Sequence, residues 1–347
     1  MFTIANHEIS KEAPTFIIAE LSANHYGKIE NAKALIKAAK GSGADAVKLQ
    51  TYTPDTITLN CDNDYFKIKQ DTIWDGRILY DLYEEAYTPY AWHEELFEYA
   101  NSLNILIFSS PFDESAVQLL ESLDTPAYKI ASFEITDINL IRECAKTQKP
   151  IIISTGIADE SDITLAIQTC KAVGNHNIVL LKCTSAYPAP LESMNLTMIP
   201  DLSSRFDVLS GLSDHTSGSL APVVAVTLGA TVIEKHFILD RNSGGVDAGF
   251  SLEPAEFKAM VQSVRDAEQL IGKVDYSLND KKQKAREFSR SLFISQDIKA
   301  GEVFTKTNIR SVRPGFGMHP KHLEEVLGKK ATRDLTFGKP LKKGDVL

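Results

Sequence analysis

Short apolar runs rich in β-branched residues recur along the chain, and each is followed by a polar residue, a turn and a helical stretch. There are eight such runs, at residues 16–20, 46–50, 105–110, 127–132, 150–155, 178–184, 208–214 and 231–237. Their nearly continuous apolar character is typical of parallel strands that are covered on both faces. The alternation predicts an α/β fold.

The segments between the runs carry the helical period. One face of the first predicted helix is formed by residues at this spacing, and glycines follow it: Ile29, Ala32, Leu35, Ile36 and Ala39. Eight strand-and-helix units are the number that closes a (β/α)8 TIM barrel. We therefore predict a TIM-barrel domain over residues 1–272.

One loop of this predicted barrel is unusually long. Residues 51–88 separate the second strand from its helix and are rich in aromatic side chains. TIM-barrel enzymes keep their active sites in the loops that follow the strands, so we interpret the insertion as a lid or a substrate wall. The alternative is a surface excursion with a small aromatic core of its own.

The last part of the chain predicts a second, smaller domain. Residues 273–290 are polar and lysine-rich, as in a solvated linker. Residues 291–347 are short apolar pieces separated by turn sequences, which indicates a small turn-rich domain.

Charge and targeting signals argue against several classes of protein. The 347 residues include 37 Lys and Arg against 46 Asp and Glu, a net charge of −9. This balance disfavours nucleic-acid binding but leaves an anionic small substrate open. We see no secretory signal and no apolar stretch long enough for a membrane span, and we expect a cytoplasmic protein. Four widely spaced cysteines without a CxxC motif predict reduced thiols: Cys61, Cys144, Cys170 and Cys183.

Polar side chains able to do chemistry stand at the end of every predicted strand. In a parallel barrel these ends converge on one face, so distant residues become neighbours in one pocket. They are Glu20, Lys48, Gln50, Ser109, Ser110, Lys129, Ser132, Glu134, Ser154, Thr155, Thr184, Ser185, Ser213, His215 and His236.

Two histidines end the seventh and eighth strands. His215 and His236 would lie on adjacent strands, which stand ~4.8 Å apart, so both imidazoles could bind one divalent metal. Oxygen ligands or water would complete the shell of Mn²⁺, Mg²⁺, Co²⁺ or Fe²⁺. The alternative is a pair of capped or hydrogen-bonded structural histidines.

Two lysines lie within apolar strand sequence. Lys48 and Lys129 would be costly there unless each faces an anion or a carboxylate. Four serines at strand ends would complete a cradle for phosphate and carboxylate groups: Ser110, Ser132, Ser154 and Ser213. Two alternatives stay open, which are ion pairs that line the barrel interior and a Schiff base formed by Lys129.

Nine motifs run through almost the whole chain. They are AELSANHYG (19–27), VKLQT (47–51), SSPFD (109–113), YKIASFE (128–134), STG (154–156), CTSAYPAP (183–190), GLSDHT (211–216), EKHF (234–237) and SVRPGFGMHP (311–320). Together they resemble the sialic acid (nonulosonate) synthases, in which a TIM barrel precedes a small antifreeze-like, SAF-type domain. The resemblance implies a transferase that condenses phosphoenolpyruvate with an acetamido sugar and releases phosphate by C–O cleavage.

Part of the long loop at residues 51–88 indicates which sugar the protein uses. Residues 72–93 are most similar to the family branch that uses 2,4-diacetamido-2,4,6-trideoxy-L-altropyranose. Sister branches use N-acetylmannosamine or a related diacetamido sugar. A protein of another class, binding ice or glycans through the last domain beside a decaying barrel, would have no reason to keep the polar strand ends.

The resemblance also implies individual roles. His215 and His236 would hold a divalent metal, Mn²⁺ or Mg²⁺ with Co²⁺ as a further option. Three other residues would take part in catalysis: Glu20, Gln50 and Glu134. Seven would bind phosphoenolpyruvate: Lys48, Ser110, Lys129, Ser132, Ser154, Ser185 and Ser213. Ser185 stands where the neuraminate synthases have asparagine.

The sugar site implied by the resemblance extends beyond the barrel. Four residues would contact the sugar: Tyr187, Asp247, Phe288 and Arg313. Arg313 resembles an arginine that reaches into the partner subunit's pocket, which implies a domain-swapped homodimer. The linker at 273–290 is long enough to allow the swap.

Overall fold

The computed structural model describes residues 1–69 and 74–347. Thr72, at the start of the segment that indicates the family branch, lies outside the described residues. The chain divides into two compact units, Met1–Gly272 and Lys273–Leu347. Among the helices that the structure describes, none has both the length and the apolar character needed to cross a bilayer.

The first unit is the predicted TIM barrel. Strands β1 (Phe2–Ile4) and β2 (His7–Ile9) form an antiparallel hairpin. Within the described part of the unit, eight parallel strands then close the barrel in chain order, with the last pairing with the first: β3 (Phe16–Glu20), β4 (Ala46–Thr51), β5 (Leu106–Pro111), β6 (Tyr128–Ile130), β7 (Ile151–Ser154), β8 (Ile178–Cys183), β9 (Leu209–Asp214) and β10 (Val232–His236). The predicted strands agree with these bounds to within two residues.

Helices form the outer layer. They are α1 (Ile29–Gly41), α4 (His93–Ser102), α5 (Glu114–Ser122), α6 (Ile138–Lys146), α7 (Glu160–Ala172), α8 (Met198–Phe206), α9 (Leu220–Thr227) and α10 (Pro254–Ile271), with α2 (Pro54–Ile57) and α3 (Leu79–Ala86) in the insertion. Aspartate side chains accept hydrogen bonds from first-turn amides of α5, α6 and α7, which satisfies donors that a helix leaves unpaired: Asp113, Asp137 and Asp159.

Two apolar clusters pack against the outer and inner faces of the barrel strands. Outward-facing strand residues such as Ile17 and Val47 pack against the helices. Inside the barrel, Ile4 and Ile9 of the hairpin join Phe16 and other strand residues in a second buried cluster. Because the hairpin closes the amino end with apolar side chains, the polar interior lies towards the other end.

The insertion is anchored to the barrel by buried histidines. Thr51 Oγ1 lies 2.8 Å from His93 Nε2, and His93 Nδ1 donates to the Pro89 carbonyl at 3.1 Å. His25 Nε2 lies 3.1 Å from Thr88 Oγ1. Burial lowers the pKa of both imidazoles to about 4, so they are neutral in the folded protein.

The second unit is small and has its own core. It contains α11 (Asp280–Ala285), α12 (Leu323–Val326) and the antiparallel strands β11 (Ser291–Ile294) and β12 (Ile309–Val312). Leu292, Ile294 and Phe304 belong to its buried cluster. Residues 273–290 are exposed throughout, although they include α11.

Candidate active site

Strand register brings the two ends of the barrel sequence together. Glu20 on β3 pairs with His236 on β10, and with Lys48 on β4 on its other side. Lys129 is on β6, and Ser213 lies on β9 beside Glu234 of β10. The closed sheet therefore converts residues from distant parts of the sequence into one cluster.

A layer of buried charges fills the interior at this level. Lys48 is paired with Glu20, and its Nζ lies 3.8 Å from Glu234 Oε2. Lys129 Nζ lies 3.3 Å from Glu234 Oε1. These four side chains are almost fully buried. The ion pairs considered from the sequence are thus present, and Glu234 is the carboxylate that joins both lysines.

Serine hydroxyls extend this layer. Lys48 Nζ donates to Ser110 Oγ at 3.2 Å, and Ser213 Oγ donates to Glu234 Oε1 at 2.9 Å. Ser154 Oγ is buried and has no hydrogen-bond partner among the described residues. A hydroxyl in that position is suited to a ligand that enters the pocket.

Burial and pairing set the protonation of the layer. Burial raises the pKa of Glu20 despite its pairing with Lys48. Burial lowers the pKa of Lys129, and the Glu234 carboxylate opposes this only in part. For Glu234, burial acts upwards, but Lys129 and Lys48 together lower its pKa. A bound anion would therefore stabilise the charged form of Lys129, whose protonation is otherwise disfavoured by burial.

The two predicted histidines lie side by side. Their ring centroids are 5.3 Å apart. His215 Nδ1 donates to the Thr184 carbonyl at 3.0 Å, which leaves the lone pair on Nε2. His236 Nδ1 is buried without a hydrogen-bond partner in the described residues, and burial together with His215 lowers the pKa of His236 well below its usual value.

This pair suits a divalent metal with open coordination positions. Nε2 of His215 and the orphaned Nδ1 of His236 are imidazole nitrogens of the kind that such ions bind. Burial acts to lower the pKa of His215, but Cys183 raises it, so a metal ion would compete with a proton for this ring. The His215 contact to a backbone carbonyl is a common way to orient a metal-binding imidazole. Within residues 1–69 and 74–347 no group of three or more His, Cys, Asp or Glu is placed to hold a metal. The remaining ligands would therefore come from substrate or water.

Aromatic side chains wall this side of the site. The ring centroids of Tyr187 and His215 are 4.4 Å apart, and those of Phe250 and His236 are 4.8 Å apart. Trp74 of the insertion is 5.6 Å from Tyr187, and its indole donates to the Val246 carbonyl at 3.2 Å. These contacts favour the interpretation of the insertion as a substrate wall.

A chain of polar contacts joins three of the predicted residues. Gln50 Nε2 donates at 3.1 Å to Glu20 Oε1 and at 3.1 Å to Ser22 Oγ. Ser22 in turn donates to the Asp247 carboxylate. Burial raises the pKa of Asp247. Asp247 is thus linked to Glu20 although they are far apart in sequence.

Glu134 stands at the rim of the charged layer. Its Oε2 is buried and has no hydrogen-bond partner among the described residues. Burial raises its pKa to about 7, against the opposing effect of Lys129. A carboxyl group with this pKa is suited to accept or donate a proton near neutral pH.

Ser132 and Ser185 meet around Gly156. The Gly156 amide donates to Ser132 Oγ at 3.2 Å, and Ser185 Oγ lies 4.0 Å from Cys183 Sγ. Cys183 was not considered a site residue from sequence, yet its Sγ is 3.9 Å from His215 Nδ1. Burial opposes ionisation of this thiol, but His215 lowers its pKa to about 7.

Two predicted sugar contacts belong to the second unit. Phe288 is 73% exposed, and Arg313 is also exposed. Neither is supplied by the barrel itself. The structure thus brings together the predicted residues of the first unit, whereas the roles of Phe288 and Arg313 stay predictions.

Comparisons with known proteins agree with the motifs. The profile of the NeuB family matches residues 35–276, and that of the SAF domain matches residues 289–347. A pseudaminic acid synthase of Campylobacter jejuni is 53% identical over 342 residues, 99% of each chain. One from Helicobacter pylori is 50% identical over 96% of this chain and 98% of its own. The crystal structure of the Bacillus subtilis spore coat polysaccharide biosynthesis protein SpsE superposes with a TM-score of 0.68 at 36% identity, covering 100% of this chain and 99% of that one.

Proposed function

Because the chain belongs to the NeuB family, we propose that it is a pseudaminic acid synthase. It condenses phosphoenolpyruvate with 2,4-diacetamido-2,4,6-trideoxy-L-altropyranose and water, giving a nine-carbon acid and phosphate. The observation that carries the proposal is the end-to-end similarity to pseudaminic acid synthases. The charged layer beside a histidine pair supports the same chemistry.

Phosphoenolpyruvate binds in the charged layer. Lys129 and Lys48 attract its phosphate and carboxylate groups, and hydroxyls around them donate hydrogen bonds: Ser110, Ser132, Ser154, Ser185 and Ser213. The negative charge of the bound substrate raises the pKa of Lys129 and so opposes the effect of burial.

The aldehyde of the open-chain sugar lies at the histidine pair. His215 and His236 hold a divalent metal, Mn²⁺ or Mg²⁺ with Co²⁺ as a further option. When bound, such an ion polarises the aldehyde oxygen as a Lewis acid. Tyr187 and Phe250 flank the imidazoles and exclude bulk water from this position.

The bond changes assign tasks to the remaining carboxyl groups. C3 of phosphoenolpyruvate bonds to the aldehyde carbon, whose oxygen takes up a proton and becomes a hydroxyl. Water adds at C2, and the resulting hydroxyl becomes the C2 carbonyl as the C2–O bond to phosphate breaks, its proton leaving with the phosphate. Glu134 accepts the proton of that water, and Glu20, oriented by Gln50, supplies the proton to the sugar oxygen.

A second copy of the chain completes the sugar site. Four apolar side chains near the strand ends are 47–61% exposed: Phe133, Ile157, Leu191 and Leu220. Residues 1–272 carry 20 Lys and Arg against 37 Asp and Glu, whereas residues 273–347 carry 17 against 9. This complementary charge supports a homodimer in which the basic second unit, with Arg313 and Phe288, covers the barrel of the partner.

The cytoplasm is the proposed compartment. Cys144, Cys170 and Cys183 are buried free thiols, as expected in a reducing environment.

One alternative keeps the chemistry and changes the sugar. A sister synthase would use N-acetylmannosamine, giving N-acetylneuraminate, or the diacetamido precursor of legionaminate. A second alternative is a Schiff-base aldolase, favoured by the lowered pKa of the Lys129 amine.

Phosphate release from phosphoenolpyruvate tests the proposal. We expect release with Mn²⁺ and the altrose-derived sugar, none with the other two sugars, and loss on addition of EDTA. His236→Ala should lose metal-dependent turnover and remain folded, whereas exposed His176→Ala should behave as wild type. Release with another sugar would identify the sister synthase. Activity that resists EDTA, with pyruvate trapped on Lys129 by borohydride, would identify the aldolase.

A further inference from the structure

A buried ion pair lies directly behind the two histidines. Lys235 precedes His236, Asp214 precedes His215, and the two residues are register partners on β10 and β9. Lys235 is 0% exposed and Asp214 is 1% exposed. Successive side chains of a strand point to opposite faces, so this pair points out of the barrel interior and the imidazoles point into it.

The pair also binds the backbone on the far side of His215. Lys235 Nζ donates to Asp214 Oδ2 at 2.5 Å and to the Thr216 carbonyl. Asp214 Oδ1 accepts from the Thr216 amide at 2.9 Å. The residues before and after His215 are thereby tied to the residue that precedes His236.

Burial alone gives no reason for charges here. Two residues earlier, Ile233 and Leu212 occupy the same outward-facing layer as an apolar register pair. An apolar pair of similar volume is often as stable as a buried ion pair. What Lys235 and Asp214 add is a set of directional bonds that fixes the backbone on either side of one imidazole relative to the other.

We propose that Lys235 and Asp214 are positioning residues that hold the imidazoles of His215 and His236 at the spacing needed to bind one divalent metal ion. The inference rests on the proposed metal site. Ligands must be held to within about 0.5 Å for a functional site, and partners outside the ligand shell commonly change metal affinity by about 10–100-fold.

The test is a double variant, Asp214→Asn with Lys235→Met. Both charges are removed together, so no buried charge is left unpaired, and the Asn carbonyl retains the acceptor for the Thr216 amide. Mn²⁺ binding is measured as loss of the free-ion EPR signal, with phosphoenolpyruvate present and no sugar. We expect the affinity to fall about 10–100-fold while circular dichroism and cooperative unfolding are retained.

The barrel offers a matched control. Asp45 Oδ2 accepts from the Ile17 amide at 2.8 Å, and Arg265 lies 3.1 Å from that carboxylate and donates to the Thr15 carbonyl at 2.8 Å. This pair makes the same pattern of bonds, but it is partly exposed and lies at the amino ends of the strands. Asp45→Asn with Arg265→Met should leave the Mn²⁺ affinity within about twofold of wild type.

Each outcome decides the inference. Wild-type affinity in the first double variant would overturn it, as would an equal loss in both double variants, because general loosening would then explain the effect. If the first double variant does not fold, Lys235→Arg serves, because it keeps the two charges paired while changing the geometry of the bonds to Asp214 and the Thr216 carbonyl; it should still lower the affinity about threefold or more. A wild-type protein that binds no Mn²⁺ would instead overturn the metal site itself.

Discussion

The Gly156 amide donates a hydrogen bond to Ser132 Oγ at 3.2 Å, and a methyl group on Gly156 would lie 2.7 Å from that same oxygen. It would also lie 2.2 Å from Ser185 Oγ and 3.1 Å from Cys183 Sγ. Both serines are proposed to bind phosphoenolpyruvate. The missing side chain is therefore what allows two hydroxyls and an amide to meet.

Gly156→Ala should weaken phosphoenolpyruvate binding. The hydroxyls are short side-chain ends that can rotate away, so we expect the fold to survive and the KM for phosphoenolpyruvate to rise about tenfold, equivalent to about 1.4 kcal/mol. Steady-state kinetics with each substrate varied would measure this. Gly41→Ala, where a methyl group meets nothing within 4 Å, is the control. Unchanged KM in Gly156→Ala would contradict the role of this cradle.

Glu134 should give the reaction an ascending pH limb. Its carboxyl group accepts a proton only when ionised, and its pKa is about 7, so kcat/KM should rise with pH up to about 7 and then level off. Glu134→Gln should flatten this limb and lower kcat about 10²–10⁴-fold. The comparison is Glu114→Gln, an exposed carboxylate on α5 that does not act on the pKa of Glu134, and it should keep the wild-type profile. An unaltered limb in Glu134→Gln would assign it to another group.

The buried His25 and His93 should make the barrel sensitive to acid. Their pKa values are about 4 in the folded protein and near 6.5 when unfolded, so the unfolded chain binds protons first as the pH falls from about 6.5 to 4. Between pH 7 and pH 5 each histidine should lower the free energy of unfolding by about 2 kcal/mol.

Urea unfolding of His93→Gln at both pH values would check this. Between pH 7 and pH 5 its free energy of unfolding should fall by about 2 kcal/mol less than that of the wild type. The two tryptophans, Trp74 and Trp92, both belong to the first unit, so their fluorescence reports on the barrel. Exposed His176→Gln should retain the wild-type dependence. Equal dependence in all three proteins would show that other groups cause the acid sensitivity.

Arg313 should act on the sugar more than on phosphoenolpyruvate. If its guanidinium contacts the sugar from the partner subunit, Arg313→Ala should raise the KM for the sugar about tenfold or more, with little change for phosphoenolpyruvate. Arg310, an exposed arginine on β12, provides the control as Arg310→Ala. Equal effects on both KM values would argue against the swapped arrangement.

The barrel and the histidine pair could be predicted because both follow from strand periodicity. The run at 16–20 coincides with β3, since its five residues are all buried and apolar up to Glu20. His215 and His236 become neighbours because consecutive parallel strands pair in the same direction. Glu234 was missed, although it stands two residues before His236 and so faces the same side of β10.

Contacts made by loops could not be predicted in this way. Ser22 donates to Asp247 across 225 positions of sequence, and Trp74 reaches Tyr187 from the insertion. The path of a loop depends on side-chain packing and on individual turns, and neither leaves a period in the sequence. The family resemblance named Tyr187 and Asp247, but it did not reveal these contacts.

The hairpin of β1 and β2 leaves the barrel interior accessible from one end only, so entry and exit share the same opening. Since Ile4 and Ile9 close the amino end of the barrel, the proposed reaction requires both substrates, the water consumed at C2 and the departing phosphate to pass through the carboxyl end. If the partner's second unit covers the sugar site as proposed, it must therefore retain one water molecule beside phosphoenolpyruvate and exclude the others. Residues far from the reacting atoms thus determine the direction in which substrates and products reach and leave the active site.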